Sequence, residues 1–177
     1  MKKFALVLII ITIAFTGLAM AQTTITRSAV TFQAKNMGIG VTGHISGLTA
    51  EVQFNPGNLA IASIEASVDA TSISTDNSSR DGHLKESEFF DTGHYPRIIM
   101  KSVSFKHRSG SNYTGFFNLT IKNKTKLIEL PFTFAQKGSA QTFKGRFKIN
   151  RLDFGVGDSS FILSNEVVVN IDLEVRD

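Results

Sequence analysis

Past its first 21 residues the chain alternates apolar and polar positions with period two almost to its end, and no stretch holds apolar residues at helical spacing for more than two turns. The rows read Val30, Phe32 and Ala34, then Ala50, Val52 and Phe54, then Ile64, Ala66, Val68 and Ala70. They resume with Ile99, Val103 and Phe105; Tyr113, Gly115, Phe117, Leu119 and Ile121; and Ile128, Leu130, Phe132 and Phe134. Two more follow: Phe143, Gly145, Phe147 and Ile149, then Val167, Val169, Ile171, Leu173 and Val175. The pattern predicts an all-β chain of about eight antiparallel strands, each buried on one face and wet on the other. Turn-forming residues separate the rows at 55–58, 108–112, 122–124, 136–139 and 155–158, several at hairpin length.

The interval from Thr75 to Pro96 breaks the rhythm. Long structureless loops are uncommon in compact domains, so this polar segment is expected to hold one or two short helices over the sheet. Ser78 or Ser79 is a candidate cap, and Pro96 forbids helix just before it. A closed up-and-down β-barrel and a two-sheet sandwich both accommodate such strands. Closure is favoured because a flat sheet would leave edges with unpaired backbone groups, and no edge strand protected by proline or inward charge is evident. An eight-stranded barrel is also just wide enough for one slender ligand.

Composition adds a leader and removes several chemistries. Met1-Lys2-Lys3, an apolar run from Phe4 to about Leu18 and Ala19-Met20-Ala21 read as a secretory signal peptide over residues 1–21, cleaved after Ala21. The run is shorter than the ~20 apolar residues of a membrane span. The expected mature protein is one domain, residues 22–177, exported to the periplasm or secreted, without stable membrane insertion. Without cysteine, no disulfide or thiol chemistry is available to it. Loss of Lys2 and Lys3 leaves 17 basic against 15 acidic residues, a net charge of +2. That balance does not predict a nucleic-acid partner, and Lys122, Lys124 and Lys126 read as the solvated tip of a turn. Fifteen phenylalanines with no tryptophan and two tyrosines supply bulky rings that carry no polar handle and belong indoors.

Candidate polar chemistry is sparse. Arg80, Asp81 and His83 form the sharpest cluster, read either as a head-group site or as a brace for the helical segment. Neither Ser78 nor Ser79 sits in a nucleophile elbow. His44, His83, His94 and His107 lack the close pairing of zinc ligands, so neither metal nor cofactor is expected. Asp153 with Asp158, or Asp69 with Asp76, would have to face each other across a cleft to act as acid and base, which spacing alone does not indicate. Phe89 and Phe90 are read as a core plug or as part of a lid. Gly115, Gly145, Ala66 and Ala70 are where space for a ligand would remain between larger side chains.

The run Asn77-Ser78-Ser79-Arg80-Asp81-Gly82-His83-Leu84, with Glu88-Phe89-Phe90-Asp91 and Tyr95-Pro96-Arg97-Ile98, resembles the central signature of the YceI-like family. Gly115 to Ile121 with Thr125-Lys126, Ile149-Asn150-Arg151 with Asp153-Phe154-Gly155-Val156-Gly157, and Asn165-Glu166-Val167 extend the resemblance over the mature chain. It departs at the start, where an aromatic residue and an Asp-x-x-His-Ser element are common in the family. Here Thr24-Ile25-Thr26 and Arg27-Ser28 keep only the serine.

The resemblance implies a lipocalin-like barrel that binds a polyisoprenoid, of the isoprenoid quinone or polyprenyl phosphate type, or another long-chain lipid such as a fatty amide, and is not an enzyme. The expected lining is Val30 and Phe32; Ile64, Ala66 and Val68; Val103 and Phe105; Phe117, Leu119 and Ile121; Phe132 and Phe134; Phe143 and Phe147; and Val169 and Ile171. Arg80, Asp81, His83, Phe89 and Phe90 are the head-group or lid candidates. Burial of ~20 methylene-sized groups would offer ~16 kcal/mol before ordering costs, so a lipid needs no special polar chemistry. Two rivals remain: an envelope stress or adhesion module with a solid barrel, and a lipid hydrolase or isomerase using His83 and Asp81. Oligomeric state is open, a homodimer included.

Overall fold

The computed structural model describes residues 23–176. The expected leader, residues 1–21, lies outside them. Nine antiparallel strands form one sheet: β1 (Thr24–Asn36), β2 (Ile39–Ile45), β3 (Thr49–Gln53), β4 (Ser63–Asp69), β5 (Arg97–Ser109), β6 (Asn112–Ile121), β7 (Lys124–Lys137), β8 (Ala140–Asn150) and β9 (Glu166–Arg176). The spatial order is β2-β1-β9-β8-β7-β6-β5-β4-β3. Every neighbour except β9 on β1 is joined through a sequence-adjacent connection, and the sheet curls into a barrel. The expected all-β, barrel-like architecture stands. The ninth strand is β2, whose glycines at 40 and 43 and His44 dilute its alternation.

The wall is not closed by a ladder between its end strands β2 and β3. After β4 the chain turns back along β2, where the amides of His44 and Ser74 each donate to the other's carbonyl at 2.9 and 3.0 Å. Asp69 N–H donates to the Ser46 carbonyl at 3.0 Å beside them. At the opposite end of the barrel Thr23 Oγ1 reaches the Val52 carbonyl and Gln141 Nε2 the Phe54 carbonyl, at 3.2 and 3.3 Å. Gly43 lies under the Phe32 ring of its cross-strand partner; a Cβ there would sit 2.3 Å from the ring and 2.6 Å from the Ser74 carbonyl. Glycine is therefore required for this closure.

The interior divides into two halves. Toward the ends of β3, β5, β7 and β9, Phe54 sits at the centre of a solid aromatic cluster. Its ring centroid lies 4.8–5.8 Å from those of Phe105, Tyr113, Phe132, Phe134 and Phe143, mostly edge to face. Each such pair adds about 0.5–1.5 kcal/mol to the burial of its area. The space expected beside Gly115 and Gly145 is taken: a Cβ at Gly115 would meet Phe117 at 2.3 Å, and one at Gly145 would meet Leu130 at 2.8 Å. The other half is lined mostly by aliphatic residues and is not filled.

The segment between β4 and β5 carries one α-helix, α1 (Ser78–Lys85), followed by turns. Asn77, rather than Ser78 or Ser79, caps it, its side-chain oxygen accepting from Arg80 N–H at 3.0 Å. This segment and the connection between β8 and β9 lie over the aliphatic half.

Candidate ligand cavity

The cavity, of about 170 Å³, occupies that half. Its walls are the inward rows of six strands: Val30, Phe32 and Ala34; Ala66 and Val68; Ile98 and Met100; Leu119 and Ile121; Phe147 and Ile149; Val167, Val169 and Ile171. Leu84, Phe89, Phe90, Val156 and Leu163 roof it, and Ile45 and Leu48 line the gap between β2 and β3. Ser67 and Arg151 are the two lining residues with polar side chains. The Ser67 hydroxyl is turned to Arg97 and Thr49.

Of the lining expected from sequence, Val30, Phe32, Ala66, Val68, Leu119, Ile121, Phe147, Val169 and Ile171 border the cavity, and so do Phe89 and Phe90. Ile64, Phe105, Phe117, Phe132, Phe134 and Phe143 do not. They point inward but belong to the packed cluster, so the phenylalanine-rich surfaces mostly meet one another. Ala70 is buried outside the cavity as well. Val103 is a correction of another kind. The β5–β6 register shifts between Ser102 and Ser104, a bulge that leaves Val103 without a partner and 58% exposed. One inserted residue reverses the facing, so Ile98 and Met100 point inward where the regular alternation had placed Ile99.

Arg80, Asp81 and His83 do not border the cavity. The Asp81 carboxylate accepts from Thr75 N–H at 2.8 Å, Thr75 Oγ1 at 2.6 Å and Ser74 Oγ at 3.1 Å. Arg80 donates from Nε to Thr75 Oγ1 at 2.7 Å and from Nη2 to the Thr75 carbonyl at 3.0 Å. Both therefore clamp the buried Thr75 and brace α1. The Thr75 hydroxyl, above all, holds the Asp81 carboxyl below its ordinary pKa, with Thr75 N–H, Ser74 and Arg80 adding to the effect. His83 is on the outside of α1, 3.3 Å from Glu86. The acid–base pair imagined from His83 and Asp81 thus has no common target. Among the described residues no group of three or more His, Asp or Glu is placed to hold a metal.

Arg151 stands in the sequence only as part of the family motif, with no role assigned to it there. It follows β8, is 4% exposed, and turns its guanidinium into the loop that carries the roof. Nε donates to the Ser164 carbonyl at 3.1 Å and Nη1 to Val156 at 2.8 Å; Nη2 reaches the carbonyls of Asp158 and Leu163 at 2.7 and 3.3 Å and Asn165 Oδ1 at 3.1 Å. Its burial lowers its pKa, with the Asp158 charge opposing. A loop with little regular structure leaves carbonyls to satisfy, and one planar fork satisfies several. The signal was there in an arginine set just before the turn-forming Asp153-Phe154-Gly155-Val156-Gly157.

This loop is fastened to the segment after α1. Gly157 N–H donates to the Glu88 carbonyl at 2.8 Å, and Lys122 Nζ donates to the carbonyls of Ser87 and Gly155 at 2.9 and 3.2 Å. Gly157 has φ +64°, and a Cβ would lie 2.8 Å from the Phe89 ring and 3.0 Å from Arg151, so only glycine suits the position. A second hollow, of about 570 Å³, lies open to solvent on the outer sheet face between Arg108, Lys144, Arg146 and Asn170. Ion pairs Lys144–Asp172 and Arg108–Glu129, at 3.2 and 3.4 Å, engage two of its cations, and the hollow is open rather than enclosed.

Comparison with known proteins agrees with this fold. The YceI-like domain matches residues 22–175. A UPF0312 protein of Vibrio cholerae is 24% identical over 145 residues, covering 76% of this chain and 77% of that protein. Among solved structures, BcnA of Burkholderia cenocepacia superposes with a TM-score of 0.79 at 28% identity, over 83% of this chain and 95% of that one. A polyisoprenoid binding domain from Saccharophagus degradans, implicated in plant cell wall breakdown, shares the fold with a TM-score of 0.71 at 13% identity, over 88% of this chain and 98% of that one.

Proposed function

The chain belongs to the YceI-like family, and from that premise we propose that it binds a long-chain lipid of the polyisoprenoid class in its aliphatic half-barrel, as an exported carrier or store rather than an enzyme. The observation that carries this reading is the cavity lining, apolar but for Ser67 and Arg151. A site that holds substrate for chemistry needs groups converging on it, and Asp81 and His83 do not. Likeness to the polyisoprenoid binding domain from Saccharophagus degradans supports the choice of lipid class. Location in the periplasm or outside the cell rests on the leader read from residues 1–21.

The resting cavity of about 170 Å³ falls below the roughly 300–1,000 Å³ typical of ligand sites. A prenyl or acyl tail therefore enters by displacing the roof, not by threading a standing tunnel, and the solid Phe54 cluster limits how deep it goes.

Organic-solvent extraction of protein purified from its native host, followed by mass spectrometry, tests the proposal. A prenyl or long-chain lipid is expected in near-stoichiometric amount. Ala66→Phe, which puts a ring into the cavity instead of the packed core, should yield folded protein stripped of that lipid. Native protein that is always empty and takes up neither prenyl lipid nor fatty amide would end the carrier reading and return the second one, a partner-binding module.

A further inference from the structure

Four large apolar side chains stand exposed together at the cavity end of the barrel. Met37 and Ile39, at 75% and 70% exposure, belong to the tip of the β1–β2 hairpin; Phe161 and Ile162, at 111% and 56%, belong to the β8–β9 loop. Backbone hydrogen bonds fuse the two segments. Met37 N–H donates to the Ile162 carbonyl at 2.6 Å and Ser164 N–H to the Lys35 carbonyl at 2.8 Å, and Asn36 bridges Leu163. Met37 and Gly38 occupy the turn with φ +52° and +79°. A two-residue turn of this kind favours Asn, Asp or Gly at both positions, so backbone geometry does not account for methionine at the first.

The same two segments wall the cavity from behind. Leu163, next to Ile162, and Ala34, three residues before Met37, both line it. The exposed apolar tips and part of the apolar lining thus belong to the same two segments.

We propose that these tips are a bilayer-docking surface: Met37, Ile39, Phe161 and Ile162 enter the interface of a membrane and bring the roofed end of the cavity against the lipid it loads or releases. The proposal rests on the carrier reading and adds where cargo is exchanged. Three observations favour a bilayer as the occupant. The cavity directly behind is apolar, so a lipid leaving the membrane there need not cross water. The side chains project from two loop tips instead of forming a flat face. They are also only four, whereas a stable protein interface of standard size engages roughly 20–30 residues a side. Docking is interfacial, since no described helix is long and apolar enough to span.

Flotation with phosphatidylcholine vesicles, and polyprenol transfer between labelled donor and acceptor vesicles, test the surface. Phe161→Asp is compared with Val103→Asp and Ile61→Asp, which alter apolar residues 58% and 55% exposed elsewhere. Phe161→Asp should lower vesicle-bound protein and initial transfer rate about tenfold or more, with unchanged melting temperature and unchanged polyprenol retained at equilibrium. The two controls should behave as the parent does. A parent that neither floats nor transfers by vesicle collision, or a Phe161→Asp variant that matches it, overturns the docking surface while retained polyprenol keeps the carrier reading. Failure of the parent to retain polyprenol at all sinks the carrier reading, whatever the flotation result. Conversion of a dimeric parent to a monomer by Phe161→Asp, seen by light scattering, overturns the proposal in favour of a self-interface.

Discussion

Arg151 does for the β8–β9 loop what a ladder does for a strand: it gives main-chain oxygens a donor. Substitution by lysine keeps the charge but loses the planar fork, and one ammonium cannot reach Val156, Leu163 and Ser164 together. Arg151→Lys should cost about 2–4 kcal/mol, since buried carbonyls lose their partners. The melting temperature should fall by roughly 2–4 °C for each kcal/mol lost. Hydrogen exchange should locate the damage, with amides around Gly155 to Gly157 and at Ser164 exchanging faster while those of β6 and β7 stay protected. Uniform acceleration over the whole chain would show that Arg151 does not hold the roof in particular. Single residues were only partly legible in the sequence. The period-two pattern shows which side chains point inward, but not which inward rings touch each other, because that depends on how a curved sheet brings distant strands together. Phe105, Phe132 and Phe143 were therefore indistinguishable from Phe147, although the first three pack on Phe54 and the last borders the cavity.

Among the elements, α1 shows how a short helix is held by its flanks. It buries no residue of its own, and eight residues are too few to be stable alone. Asn77 caps it, and Asp81 ties it to Thr75 and Ser74. Because those bonds to the charged form lower the Asp81 pKa, the carboxylate contributes stability in full above the unfolded value of about 3.9 and loses it as pH falls through the lower folded value. Asp69, lowered chiefly by the Thr71 hydroxyl, behaves the same way. Asp81→Asn should thus weaken the protein at neutral pH and flatten the acid limb of a plot of urea midpoint against pH, leaving the Asp69 part. An unchanged acid limb would remove Asp81 from the account. The helix itself was legible because polar residues crowd a segment too long for a bare loop. The β5 bulge was not, since an extra residue leaves no mark in a period-two pattern except an apolar side chain on the wrong face. Strand β2 escaped notice because its glycines, one of them demanded by the Phe32 ring, look like turn chemistry.

At the scale of the molecule, stability and cavity are assigned to opposite ends of one barrel. Phe54→Ala should cost about 3–5 kcal/mol by leaving a hole among rings that cannot collapse into it. The lipid content of the folded fraction should nonetheless be unchanged, because Phe54 borders no part of the cavity. Urea titration beside solvent extraction of the same preparation separates the two, and loss of lipid in parallel with stability would show that the halves are one unit. The barrel class and the motifs of the family were legible from the chain; the division of labour was not, because both halves are written in the same apolar alphabet.

The meeting of β2 with the stretch beyond β4 has a mechanical consequence. Eight of the nine joints around the circumference are continuous ladders, and the ninth is a short clasp at His44 and Ser74. Such a tube is built as a split ring: its girth would adjust at one place, by parting the two His44–Ser74 hydrogen bonds and the Asp69–Ser46 bond beside them, without shearing any ladder. Cargo of the proposed kind, whatever its thickness, would then be accommodated by the gap and not by the weave.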